Sequence, residues 1–143
     1  MENLSENADK LVELIEGRYS EFLGSRWGMG EYDDFENKYL SPLSQAGKVS
    51  VFRLAYERLD SEKLNESIKQ LFYLASSYGV KFSKEYLDIL KNEKSEKKKE
   101  IFFYKARYYI EDRWSESAKK LLTDKDKNLI KELCIKYGQP LPF

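Results

Sequence analysis

Residues 62–79, EKLNESIKQLFYLASSYG, decide the fold class of this chain. Apolar side chains recur every three or four residues, which places them on one face of an α-helix: Leu64, Ile68, Leu71, Phe72, Ala75 and Tyr78. Gly79 follows as a helix stop, since glycine adopts the left-handed conformation that ends many helices. The stretch therefore predicts a helix over about 62–78 that buries one face.

The same spacing continues outward in both directions. Towards the N-terminus it predicts helices over about 4–23, 31–40 and 48–59, with Asn3 or Ser5 as the first cap and breaks at Gly24 and Gly47. Towards the C-terminus it predicts a short helix capped by Ser83, a long helix over about 96–114, and two final helices that begin at Ser115 and Asp124 and end at Gly138. The period-two alternation of strands does not persist anywhere. We therefore predict an all-α fold, a compact bundle of about six or seven helices in a single domain over 1–143, with an extended proline-containing tail at 139–143.

Composition limits the chemistry available to the chain. Apolar residues make up 41% and aromatic residues 15% of its 143 residues, enough for a real core. Histidine is absent, which removes the commonest general base and the commonest metal ligand. The single Cys134 excludes an internal disulfide and a cysteine-cluster zinc site, and its helical position predicts a small buried side chain. We expect no enzymatic activity, no cofactor and no metal.

Two local motifs partly resemble ligand-binding loops. The acidic residues 31–36 do not have the calcium-loop spacing, and acids in a first helical turn already complement the helix dipole. The glycines Gly28 and Gly30 do not form a phosphate-binding loop, because no strand precedes them and no Lys-Ser/Thr pair follows. Neither motif predicts a metal or nucleotide site.

Targeting signals are also missing from the sequence. No run of 18 uncharged apolar residues occurs, and the acidic start at residues 1–4 lacks the pattern of a signal peptide. We expect a cytoplasmic protein without a membrane partner. Few Cys, Met and Gln beside many Lys and Glu favour a thermophilic or archaeal source.

The formal net charge of zero conceals an asymmetry along the chain. Residues 1–47 carry 4 basic and 10 acidic side chains, a net charge of −6, and residues 48–143 carry 21 basic and 15 acidic, a net charge of +6. Such a split indicates either an oriented partner surface or acidic and basic helices that pack against each other.

The long helix at 96–114 carries the main candidate site. One face is apolar and predicted to be core: Phe102, Phe103, Ala106, Tyr109, Ile110 and Trp114. The opposite side, together with the basic segment 91–107, supplies the candidate nucleic-acid-binding residues: Lys97, Lys98, Tyr104, Lys105, Arg107 and Tyr108. Aromatic rings stack on bases and ammonium groups contact phosphates, so the pattern predicts binding of RNA or single-stranded DNA. The alternative is that Tyr104, Tyr108 and Ile101 pack on a neighbouring helix, or that the face receives a protein subunit.

A second candidate is the pair Arg26 and Trp27, which lies between two glycines. A tryptophan there either covers the core or anchors a partner. We treat the pair as a candidate partner-binding site.

Several short patterns resemble a known family. Ser44-Gln45 precedes Val51-Phe52-Arg53, Leu74-Ala75 is followed by Tyr78-Gly79, and the aromatic-rich 102–109 comes late in the chain. In their order, and in the chain length and helix count that accompany them, they resemble the all-helical small subunits of CRISPR effector complexes, particularly those of type III. The resemblance implies a non-catalytic subunit that repeats along a guide–target filament and touches its backbone.

Two functions follow as hypotheses. The first is a non-enzymatic helical subunit that binds nucleic-acid backbone, assembles in a nucleoprotein complex, or both. The second is a viral or plasmid-encoded helical bundle that acts as a protein-interaction or structural module, with its acidic residues 1–47 making the contacts. Self-association into a homo-oligomer is left open.

Overall fold

The structure, a computed structural model, describes residues 3–21, 30–60, 62–80, 83–113 and 122–140, without the side chains of 83–86 and 106–113. These ranges hold seven α-helices, one π-helical turn and no β-strand. In chain order they are α1 (Leu4–Ile15), α2 (Gly30–Phe35), the π-helical turn (Glu36–Leu40), α3 (Gln45–Arg58), α4 (Leu64–Ser77), α5 (Ser83–Asn92), α6 (Glu96–Arg113) and α7 (Asp124–Lys136). The predicted all-α fold is confirmed. Among these helices, none combines the length and the hydropathy that a membrane span requires.

The chain divides into two compact units, Met1–Glu85 and Tyr86–Phe143, called here the N-terminal unit and the C-terminal unit. The boundary falls inside α5. The single domain predicted over 1–143 stays a prediction, because compactness does not say whether the two units unfold together.

The first helix is shorter than its apolar spacing predicts. Asn3 caps its start, since its side-chain oxygen accepts from the Glu6 N–H at 3.0 Å. The predicted end near residue 23 is wrong: α1 ends at Ile15, and Gly17 follows with a φ of +74°. The N–H of Arg18 then donates to the Glu13 carbonyl at 2.7 Å, the bond pattern of a glycine-terminated helix. The predicted stop at Gly24 lies outside the described residues.

The start of α3 is a second difference from the sequence-based prediction. Gly47 was expected to break the chain, yet it lies buried in the first turn of α3. The reason is Ser44, whose side-chain oxygen accepts from the Gly47 N–H at 3.1 Å and starts the helix three residues earlier than predicted.

The remaining helix ends agree with the predictions to within about two residues. Gly79 and Gly138 close α4 and α7 with φ of +67° and +66°. Thr123 forms a capping box with Asp126 ahead of α7. The helix predicted to begin at Ser115 and tail residues 141–143 lie outside the described ranges.

The predicted helix at 31–40 is present but changes its winding halfway. After Phe35 the backbone widens into the π-helical turn, in which the Ser41 N–H donates to the Glu36 carbonyl at 2.8 Å. A π-turn holds one more residue than an α-helix would need over the same span.

The core of the N-terminal unit is built from α1, α3 and α4. Fully buried side chains there include Ala8, Leu11, Val51, Phe52, Ala55 and Ile68. Beside them lies a cluster of rings around the fully buried Phe35, whose centroid is 6.1 Å from Tyr19, 5.6 Å from Tyr39 and 6.1 Å from Tyr78. The contacts of Tyr19 and Tyr39 with the buried Phe35 thus hold two segments against the core: the one that follows α1 and the π-helical turn.

Hydroxyl–carboxylate pairs fix this ring cluster from outside. The Tyr19 hydroxyl donates to Asp34 at 2.7 Å, and the Tyr39 hydroxyl donates to Glu21, which also forms an ion pair with Lys10. Burial and the bond to Glu21 raise the pKa of Tyr39 to about 12. The phenols therefore stay protonated as donors at neutral pH.

Acid should destabilise the N-terminal unit by protonating the Glu21 carboxylate. Lys10 and then Tyr39 lower the pKa of the Glu21 carboxyl below its usual value. Since the folded-state pKa is the lower one, this stabilisation is present above the unfolded value of about 4.3 and is lost as the pH falls through the folded value. Between about pH 7 and about pH 3, the free energy of unfolding, measured with urea, should therefore fall less in Glu21→Gln than in the parent protein. The control is Glu57→Gln on the exposed side of α3, which should lose as much stability between these pH values as the parent protein. If Glu21→Gln also loses as much stability as the parent, Glu21 does not carry this pH dependence.

The core of the C-terminal unit lies among α5, α6 and α7. Its buried side chains are Leu87, Ile89, Leu90, Phe102, Phe103, Leu133 and Cys134. Burial of Cys134 confirms its predicted role as a small core residue, and burial of Phe102 and Phe103 confirms that part of the predicted apolar face of α6.

Candidate nucleic-acid interface

The first half of α6 carries four of the predicted nucleic-acid-binding residues with described side chains. Lys97 is exposed, Lys105 is half-buried, Tyr104 is 37% exposed, and Lys98 is buried at 9%. Arg107 and Tyr108 lie on the same helix, but their side chains are outside the description. Arg26 and Trp27 lie outside the described residues altogether.

Lys97 and Tyr104 share one side of α6. Tyr104 follows Lys97 by seven positions, which corresponds to nearly two helical turns, or about 10.5 Å along the axis. Lys105 follows about 100° further around the helix. A lysine and an aromatic ring thus stand in line on the accessible side, with a second lysine beside the ring.

Tyr104 is held in place although more than a third of it is exposed. Its hydroxyl donates to the Tyr137 carbonyl at 3.1 Å, at the point where α7 has just ended. Its ring centroid lies 6.1 Å from that of Tyr137 and 6.2 Å from that of Phe103. The ring is therefore fixed at the edge of the core, between the fully exposed and the fully buried alternatives that the sequence left open.

Lys98 differs from its neighbour Lys97 in its surroundings. Its backbone N–H donates to the Ser95 hydroxyl at 3.3 Å as part of the start of α6, and the residue has a further interaction within the chain. Burial leaves little of Lys98 accessible to a ligand. The accessible positive charge beside Tyr104 consequently comes from Lys97 and Lys105 among the described candidates.

Lys136 and Tyr137 belong to the same surface but were missed as site residues by the sequence reasoning. The Lys136 ammonium lies 2.7 Å from a Glu96 carboxylate oxygen and 5.5 Å from the Tyr137 ring centroid. Glu96 raises the pKa of Lys136, and Lys136 lowers that of Glu96, so both groups are charged at neutral pH. This lysine is already paired and adds little free positive charge. The signal that could have identified the pair is the lysine–aromatic sequence 136–137, which repeats the pattern of α6.

The two units differ in the sign of their net charge. Met1–Glu85 has 11 basic and 15 acidic side chains, a net charge of −4, and Tyr86–Phe143 has 14 basic and 10 acidic, a net charge of +4. A positive unit attracts polyanions and speeds their association.

Within the described ranges, no three Asp, Glu, Cys or His side chains come together in a way that would hold a metal ion. In the acidic stretch 31–36, Asp34 instead accepts from Tyr19 and lies 3.5 Å from the Lys38 ammonium.

Comparison with known proteins gives no relative: the chain matches no family model, no curated protein and no solved structure.

Proposed function

We propose that the chain is a non-catalytic, cytoplasmic helical subunit that binds the backbone and bases of RNA or single-stranded DNA through its C-terminal unit. The observation that carries the proposal is the side of α6 on which exposed Lys97 stands in line with the immobilised, partly exposed Tyr104. Lysine supplies a phosphate contact, and a tyrosine ring supplies a stacking surface for a base.

Pre-organisation favours Tyr104 as a stacking residue. Its hydroxyl bond to the Tyr137 carbonyl and its contacts with the rings of Phe103 and Tyr137 already restrict its rotation. A ring that is ordered before binding loses little conformational entropy when a base stacks on it. The positive net charge of the C-terminal unit supports the same assignment.

Assembly in a nucleoprotein complex is the second part of the proposal. The resemblance to small subunits of type III CRISPR effectors would place the chain in a guide–target filament, where repeated subunits touch the nucleic-acid backbone. A surface that binds through phosphate contacts and stacking suits a subunit of such a filament, because these contacts have little preference for base sequence.

Removing the accessible lysines should weaken binding uniformly. In Lys97→Ala and Lys105→Ala, fluorescence anisotropy with labelled oligo(U) and oligo(dT) should show lower affinity for both. The slope of log affinity against log salt should become shallower by about 0.7 per lost phosphate contact, because fewer counterions are released.

The matched control is Lys69→Ala, which removes an exposed lysine from α4 in the N-terminal unit. It should leave both the affinity and the salt slope unchanged. The proposal fails if the parent protein binds neither oligonucleotide at low salt, or if Lys69→Ala weakens binding as much as Lys97→Ala does.

A further inference from the structure

The N-terminal unit contains an open cleft of about 570 Å³, a volume within the range of ligand-binding sites. It lies between the end of α1, the start of α2 and the first half of α4. Leu14 and Ile15 give it an apolar wall, and Tyr32 also lines it. The cleft therefore has a surface on which an aliphatic chain can pack.

The charges around this cleft are not balanced. Of its two basic residues, Arg18 lies 2.7 Å from a Glu16 carboxylate oxygen, and Lys63 has an interaction within the chain. Glu31 and Glu66 also line the cleft, and neither has an ion pair with any residue that the structure describes. Two carboxylates next to an apolar wall are thus without an ion-pair partner among the residues that the structure describes, in a unit whose net charge is −4.

We propose that this cleft binds an arginine side chain presented by an apolar segment of a partner protein. The methylene groups of an arginine would pack on Leu14 and Ile15, while its guanidinium would meet Glu31 and Glu66. Arginine fits better than lysine, because its planar fork donates to carboxylates in pairs and it is less strongly hydrated. The acidic, partly apolar character of the cleft disfavours nucleic acid as its occupant.

This site lies apart from the surface of α6 and does not depend on the nucleic-acid proposal. Together the two proposals describe a subunit that holds nucleic acid with one unit and a protein neighbour with the other. Through Glu31, the site also gives the acidic residues 1–47 a defined protein contact, as their charge suggested.

A direct test uses the full chain and a fluorescein-labelled peptide, Leu-Arg-Leu-Arg-Leu with blocked termini, followed by anisotropy at low salt. The parent protein should bind this peptide and should bind the matched Leu-Gln-Leu-Gln-Leu peptide at least about tenfold more weakly. Glu31→Gln and Glu66→Gln should each reduce affinity for the arginine peptide by about threefold to fivefold, since each removes one solvent-accessible ion pair.

The controls separate this site from the other proposal. Glu57→Gln removes a carboxylate of α3 outside the cleft, and Lys97→Ala alters the nucleic-acid surface, so both should bind the arginine peptide like the parent. Equal affinity for the arginine and glutamine peptides would overturn the proposal, as would unchanged binding in the double variant of Glu31 and Glu66. Failure of oligonucleotide binding would leave the peptide result intact.

Discussion

Replacing Phe35 with alanine should lower the free energy of unfolding by about 3–5 kcal/mol, the largest effect that we expect from one substitution. Phe35 is fully buried, and three tyrosine rings lie within 6.1 Å of its centroid. Truncation would remove the transfer free energy of the ring and leave a cavity, because the hydrogen-bonded tyrosines around it have little room to close in. Urea denaturation followed by circular dichroism measures the loss.

The control for Phe35 is Tyr73→Ala on α4. Tyr73 is 47% exposed, so its truncation should cost well under half as much. A loss below about 1 kcal/mol in Phe35→Ala would show that the ring cluster is not packed as described.

Replacing Tyr104 with alanine should have the largest effect on nucleic-acid binding. Loss of one stacking ring should cost about 1–3 kcal/mol of binding free energy, a decrease in affinity of about 5-fold to 150-fold, without a change in the salt slope. Tyr104→Phe keeps the ring and should retain most of the affinity. It removes only the bond to the Tyr137 carbonyl, at a cost of about 0.5–1.5 kcal/mol in the free energy of unfolding.

Thermal melts of the same variants distinguish a surface role of Tyr104 from a core role. A side chain that is 37% exposed should lose clearly less stability on truncation than a fully buried ring such as Phe35. If Tyr104→Ala costs as much stability as Phe35→Ala, or binds oligonucleotides like the parent, the nucleic-acid proposal loses its main support.

Local signals explain which parts of the fold were predictable. The helices α4, α6 and α7 combine regular apolar spacing with clear end signals, and their predicted limits agree with the structure to within about two residues. The end of α1 was not predictable from spacing. Tyr19 continues the apolar pattern and is buried, but it reaches the core from a non-helical segment through its bond to Asp34. An apolar residue at helical spacing can therefore be buried in the core without lying in a helix.

The candidate site was predictable only to the level of one helix. The lysine–tyrosine alternation identified α6, and the accessible side of that helix includes Lys97 and Tyr104 as expected. The approach of Tyr137 to Tyr104 depends on tertiary packing, which pairs residues more than thirty positions apart, and the burial of Lys98 likewise is set by the folded structure. No local pattern contains that information, and the same holds for the cleft between α1, α2 and α4.

The π-helical turn gives the N-terminal unit a place where the length of the chain can change by one residue. Glu36–Leu40 contains one residue more than an α-helix would need over the same span. Deleting Asn37 there would convert the turn to regular α-helical winding, and the residues on either side would keep nearly their present faces. The bond between Tyr39 and Glu21 should therefore survive this deletion, whereas a deletion within the regular helix α3 would rotate one part of that helix by about 100° relative to the other.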